Sequence, residues 1–104
     1  MGPGTLEIYK RMFPEDKLWP MNEYWRDRLM ENPYSEFKVP FCERQILYAD
    51  TLYGKSDTLR QFVAKGMTSH AESMRAEIEF ARANPACGGF MNWMYSDIWP
   101  SATW

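Results

Sequence analysis

The sequence is poor in residues that build metal centres and disulfide frameworks. Its 104 residues include one histidine and two cysteines, Cys42 and Cys87. The cysteines lie far apart and fit no zinc-ligand spacing. We therefore expect no metal site and no cofactor, and we interpret both cysteines as free, mostly buried thiols.

Long apolar runs and blocks of one charge are also missing. Twelve basic and fourteen acidic residues give a net charge of -2, which argues against a nucleic-acid footprint or a polybasic membrane anchor. No segment has the apolar length of a signal peptide or a membrane span. We expect a soluble, cytoplasmic chain that binds neither nucleic acid nor membrane, although a longer parent protein could be secreted.

Aromatic residues and methionine, in contrast, are abundant. Aromatics make up 16% of the chain, and there are eight methionines. Aromatic side chains bury large areas in cores, but they also line carbohydrate sites and protein interfaces. The excess therefore does not choose between a core and a binding site.

Capping residues and apolar spacing predict four helices. They cover residues 6–12 capped by Thr5, residues 23–32 capped by Asn22, residues 41–53 stopped by Gly54, and residues 56–83.

The last predicted helix has one apolar stripe at helical spacing, formed by Leu59, Phe62, Val63, Met67, His70, Ala71, Met74, Ile78 and Ala81. We expect His70 to be an interior or boundary histidine, and the helix's glutamates to form a solvated face. Gly66 costs about 1 kcal/mol relative to alanine in a helix, which predicts a close packing contact there.

The chain closes with GGFMNWMYSDIWPSATW, residues 88–104. Residues 89–95 read as a strand that is apolar on both faces, as in a buried parallel sheet. Beyond it, aromatic residues flank a single acid, Asp97. Indole faces stack on the C–H faces of a pyranose while a carboxylate binds its hydroxyls, so the stretch fits a sugar site. The alternative is that Trp93, Trp99 and Trp104 are core or interface anchors.

This closing stretch resembles the eighth-strand segment of family 2 glycoside hydrolases of the β-mannosidase type. Their pattern reads roughly small-x-x-x-W-x-x-N-D-x-W-P-x-x-x-W. The upstream stretches LWPMNEYWRDRL, ILYADTLYG, LRQFVAKGM and SMRAEIEFARANP are similar to the same family. The resemblance implies an α/β fold. Residues 1–104 would be a single partial domain, the C-terminal fragment of a (β/α)8 barrel, with about four helices and one buried-type strand near residues 89–95.

The resemblance also implies a function, that of a retaining exo-β-glycosidase acting on terminal β-linked sugars. Trp93 matches the tryptophan that floors the sugar subsite, Asp97 the acid of the Asn-Asp pair, and Trp99 the tryptophan of Trp-Pro, whereas Ser96 replaces the usual asparagine. These four are the expected substrate-binding residues. The two catalytic glutamates, about 5–5.5 Å apart in retaining enzymes, would lie outside this chain, so we expect the chain itself to be inactive.

A second interpretation remains open, in which the chain is a standalone small helical interaction or scaffold module without enzymatic activity. Trp99 and Trp104 would then anchor a partner. In the fragment interpretation, a quarter of a barrel leaves open strand edges and an exposed apolar face, which invite pairing. We therefore expect the isolated chain to self-associate.

Overall fold

The computed structural model describes residues 2–28 and 41–91. Within them the chain forms the helices α1 (Leu6–Met12), α2 (Glu23–Arg28), α3 (Phe41–Tyr53) and α4 (Leu59–Ala83), with a 3-10 turn at Glu15–Lys17. The prediction of four helices is confirmed, and the predicted bounds of α1 and α3 agree with the structure. The remainder of the second predicted helix lies outside the described residues.

Side-chain caps fix where the helices begin. Thr5 Oγ1 accepts from the backbone N–H of Ile8 at 3.3 Å, and Asn22 Oδ1 accepts from that of Tyr24 at 3.0 Å, which confirms both predicted caps. Thr58 Oγ1 caps α4 by accepting from Gln61 N at 3.3 Å. A cap satisfies one of the N–H groups that the first turn of a helix leaves unpaired. The prediction that α4 begins at Ser56–Asp57 was therefore early by two to three residues.

The connection between α3 and α4 is tied down by polar contacts. Gly54 takes φ +77°, a left-handed conformation that ends α3. Asp50 Oδ1 accepts from the N–H and the hydroxyl of Ser56 at 3.1 and 2.9 Å. Lys65 Nζ donates to the carbonyls of Gly54 and Lys55 at 2.7 and 2.8 Å. The two helices consequently form a closed hairpin.

An aromatic cluster forms the core. The fully buried Trp25 of α2 has its ring centroid 4.6 Å from Tyr9, 4.9 Å from Phe13 and 6.0 Å from Phe62. Its indole N–H donates to the carbonyl of Lys17 at 3.3 Å, which satisfies the one polar group that Trp25 brings into the interior. Ala49 of α3 is also fully buried in this cluster, so the core joins α1, α2, α3 and the first half of α4.

The N-terminal segment, residues 2–4, lies against α4. A Cβ at Gly66 would lie 2.7 Å from Pro3 Cγ, and one at Gly2 would lie 2.8 Å from the ring of His70. The N–H of Gly4 donates to the hydroxyl of the buried Tyr9 at 2.9 Å. The predicted close contact at Gly66 is confirmed, and its partner is Pro3.

Helix α4 uses only its first half to pack on the core. Its buried residues, Leu59, Phe62, Val63, Gly66 and Ser69, all precede His70. At 1.5 Å per residue, the remaining fourteen residues add about 20 Å of helix. The predicted apolar stripe of α4 does not pack on the core along its whole length, because Met67 and Ile78 remain 40% and 41% exposed.

The predicted α/β class, a (β/α)8-barrel fragment with a strand near residues 89–95, is wrong. Residues 2–28 and 41–91 form a small helical domain with no strand. Phe90 and Met91, which fall within the predicted strand, have no regular structure and are 41% and 94% exposed. A strand needs a neighbour for its backbone N–H and C=O groups, and the helices offer none because their own backbone groups are already paired.

None of the helices in the described part of the chain is long and apolar enough to cross a membrane.

Candidate functional site

The four predicted substrate-binding residues, Trp93, Ser96, Asp97 and Trp99, lie outside the described residues. The structure therefore neither brings them together nor separates them. What it does describe is the segment that leads to them, residues 84–91, and the helical surfaces beside it.

That leading segment begins with a tight turn after α4. Asn84 ends the helix, its side-chain Oδ1 accepts from Ala86 N at 3.0 Å, and its carbonyl accepts from Cys87 N at 3.0 Å. The Cys87 thiol donates to the Gly89 carbonyl at 3.2 Å. Phe90 and Met91 then follow, both exposed. A turn with its own hydrogen bonds therefore leads into the closing stretch, and Phe90 and Met91 do not pack in the core.

The exposure of Cys87 differs from the predicted one. It is a free thiol, as expected, but it is exposed rather than buried, because the turn after α4 stands clear of the aromatic core. The side chain of Cys42 lies outside the described residues.

His70 lies at the boundary of the domain, which confirms its interpretation. The imidazole is half-buried against Gly2. Burial of the ring, together with the positive charge of the chain's N-terminus, lowers the pKa of His70, while Glu77 acts in the opposite direction. In the described ranges no group of three or more His, Cys, Asp and Glu side chains could hold a metal ion.

The acidic residues of α4 form a solvated face, as predicted. Glu72, Glu77 and Glu79 are all exposed. Arg75 donates from Nε to Glu79 Oε1 at 2.9 Å and lies 3.9 Å from Glu72. The hydrogen bond to Glu79 raises the pKa of Arg75. These contacts are surface ion pairs on one helix and do not converge on a reacting group.

The helical surface formed by the described residues includes two clefts. The larger, about 540 Å³, is lined by Arg75, Ile78, Glu79, Arg82 and Ala83 at the C-terminal end of α4. The smaller, about 100 Å³, lies between α2 and α3 and is lined by Met21, Asn22, Arg26, Glu43 and Ile46. In the smaller cleft Arg26 donates to Glu43, so its two charges neutralise each other. The larger cleft is the better candidate for a ligand or partner.

The sequence did not predict the apolar residues that lie exposed on α3 and α4. Outside the core, large apolar side chains are exposed on α3 (Leu47, Tyr48, Leu52 and Tyr53) and on α4 (Met67, Ile78 and Phe80). The signal that could have found them is the presence of two apolar stripes on α4, offset around the helix, where one would serve a single core.

No known protein family, no curated protein and no solved structure matches this chain.

Proposed function

We propose that this chain supplies a sugar-binding segment to a retaining exo-β-glycosidase of the β-mannosidase type, acting on terminal β-linked sugars. The single observation that carries the proposal is the order of Trp93, Asp97 and the Trp99-Pro100 pair in the closing stretch. An indole, a carboxylate and a second indole at this spacing combine the apolar and the charged contacts that a pyranose requires.

In this proposal each residue has a distinct role. Trp93 stacks on the sugar ring, and Asp97 accepts hydrogen bonds from its hydroxyls. Trp99 borders the subsite, and Ser96 contributes a hydroxyl where the family usually has an amide. The exposure of Phe90 and Met91 supports the proposal, because it leaves the leading segment available to the remainder of an enzyme.

The chain would bind without catalysing, since a retaining mechanism needs two glutamates that flank the glycosidic bond. We expect the purified chain to bind methyl β-mannoside weakly, with a Kd on the order of 1 mM or above, and to release no aryl group from an aryl β-mannoside. Saturation-transfer NMR measures the binding, and absorbance of the freed aryl alcohol measures turnover.

Matched variants make the binding measurement specific. Trp93→Ala and Asp97→Asn should abolish the transferred signal, whereas Trp104→Ala, which has no sugar role in the proposal, should keep it. Binding that survives both Trp93→Ala and Asp97→Asn would contradict the proposal, as would a lack of binding to every β-glycoside tried. Turnover by the purified chain would contradict the assignment of catalysis to residues outside it.

A second function, an interaction module without enzymatic activity, is favoured by a different observation. Leu47, Tyr48 and Leu52 on α3, and Phe80 on α4, are more than half exposed. Apolar surface of this kind marks interaction sites when it is contiguous. Under this alternative Trp99 and Trp104 anchor a protein partner, so Trp104→Ala, which keeps sugar binding in the first proposal, weakens that association.

A further inference from the structure

Helix α4 carries a second apolar stripe, which begins at Met67, continues through the second half of the helix and is not used by the core. It consists of Met67, Ala71, Met74, Ile78 and Ala81, which we call the distal stripe. The spacing alternates four and three residues, which is the spacing of the a and d positions of a heptad repeat. At about 100° per residue, the stripe lies roughly a third of a turn from the face that buries Phe62, Gly66 and Ser69.

The distal stripe is accessible. Met67 and Ile78 are 40% and 41% exposed, Ala71 is exposed, and Met74 and Ala81 are half-buried. A helix that packs only on its own domain needs one apolar face. Because α4 already buries another face, the second stripe points to a further packing partner.

The charges beside the stripe indicate which partner. With Ala71 and Ile78 at a positions, Glu77 falls at a g position, and Arg75 and Arg82 fall at e positions. In a parallel pair of such helices, a g residue faces the e residue five positions later on the partner. Glu77 of each copy then faces Arg82 of the other, and the contact occurs twice by symmetry.

An antiparallel pair would be disfavoured by the same residues. There, g positions face g positions and e positions face e positions, so Glu77 would meet Glu77 and arginines would meet arginines. Glu77 and Arg82 form no ion pair within residues 2–28 and 41–91, so both charges are available to a partner. Arg75 is already engaged by Glu79 on its own helix.

We propose that two copies of this chain associate in parallel through the distal stripes of their α4 helices, as a short two-stranded coiled coil with reciprocal Glu77–Arg82 pairs. The stripe spans only two heptads, so the association is weak and depends on protein concentration. The inference uses only residues of α4 and is independent of the sugar-binding proposal.

The first test is the oligomeric state of the full 104-residue chain by sedimentation equilibrium over a range of concentrations. We expect a monomer–dimer equilibrium for the natural sequence and monomer alone for Ile78→Lys. Phe80→Lys is the matched control, since Phe80 is 77% exposed and lies off the stripe. It should dimerise normally, and circular dichroism should show that both variants keep their helices.

The second test determines whether the two α4 helices of the dimer are parallel or antiparallel. Glu77→Lys and Arg82→Glu should each weaken the dimer about tenfold, because each replaces two attractive pairs by two repulsive ones. The double variant E77K/R82E should restore the natural Kd. Glu72→Lys, the same charge change on the opposite side of the helix, should leave the Kd unaltered.

Three outcomes would overturn the proposal. A monomer at every concentration would show that a second copy of the chain does not cover the stripe. A dimer that tolerates Ile78→Lys would place the interface elsewhere in the chain. Single charge variants with no effect, or no rescue in the double variant, would exclude the parallel pairing.

Discussion

At Gly66 the backbone of α4 touches the ring of Pro3. A Cβ there would lie 2.7 Å from Cγ and 2.9 Å from Cδ of the proline. Alanine gains about 1 kcal/mol of helix propensity over glycine, but overpacking costs about 1–3 kcal/mol. We predict that Gly66→Ala lowers the free energy of unfolding by about 1 kcal/mol, measured by urea denaturation.

The Pro3→Ala background is the control for this effect, because it removes the two ring atoms that the new methyl would meet. In that background Gly66→Ala should instead stabilise the domain by up to about 1 kcal/mol. An identical change in both backgrounds would show that the contact with Pro3 is not the cause.

Because of His70, the stability of the domain should decrease as the pH falls. It is the chain's only histidine, and burial with the N-terminal charge holds its pKa below the ordinary value of 6.5. As the pH falls through 6.5 the unfolded state therefore binds more protons than the folded state, and stability declines. We predict that His70→Gln removes this decline, measured by thermal unfolding at several pH values.

The ring of His70 can also be titrated directly by NMR in the folded chain. Its midpoint should lie below that of the same residue in the unfolded chain. A folded midpoint at or above the unfolded one would reverse the sign and contradict the prediction.

Among the elements, α4 depends on its N-cap. Thr58 Oγ1 accepts from Gln61 N, whereas the hydroxyl of Thr68, in mid-helix, donates to the carbonyl of Ala64 at 3.0 Å. Loss of a cap costs about 1 kcal/mol, while an exposed mid-helix threonine is no better than alanine. We predict that Thr58→Ala destabilises the domain by about 1 kcal/mol and that Thr68→Ala does not. Equal losses in urea denaturation would contradict the role of the cap.

At the scale of the whole molecule, the core sits beside only one half of α4. Phe62 is fully buried among the aromatic rings, while Phe80 is 77% exposed. We predict that Phe62→Ala costs about 3–5 kcal/mol and that Phe80→Ala changes stability by less than about 0.5 kcal/mol. Denaturation of the two variants measures the difference. A large loss for Phe80→Ala would mean that the second half of α4 belongs to the cooperative core.

The sequence predicted the helices well because their ends carry local signals, such as Thr5, Asn22 and Gly54. It did not distinguish the two apolar faces of α4, because both share the helical period and periodicity alone does not assign them to partners. It also failed on the strand, since an apolar run specifies a strand only where another strand pairs with it. Trp93, Ser96, Asp97 and Trp99 lie outside the described residues, so the predicted sugar site stays a prediction.

The tied α3–α4 connection bears on the order in which the chain folds. Its hydrogen bonds join residues six to eleven apart, so little chain entropy is lost when the hairpin closes. The N-terminal contacts reach much further, as from Gln45 to Gly2 across 43 positions. During synthesis, α1 and α2 emerge first, yet the helix that supplies Phe62 to their rings is made later. Until the hairpin has formed, Tyr9 and Trp25 therefore lack the ring of Phe62 and remain more exposed to water than in the folded domain.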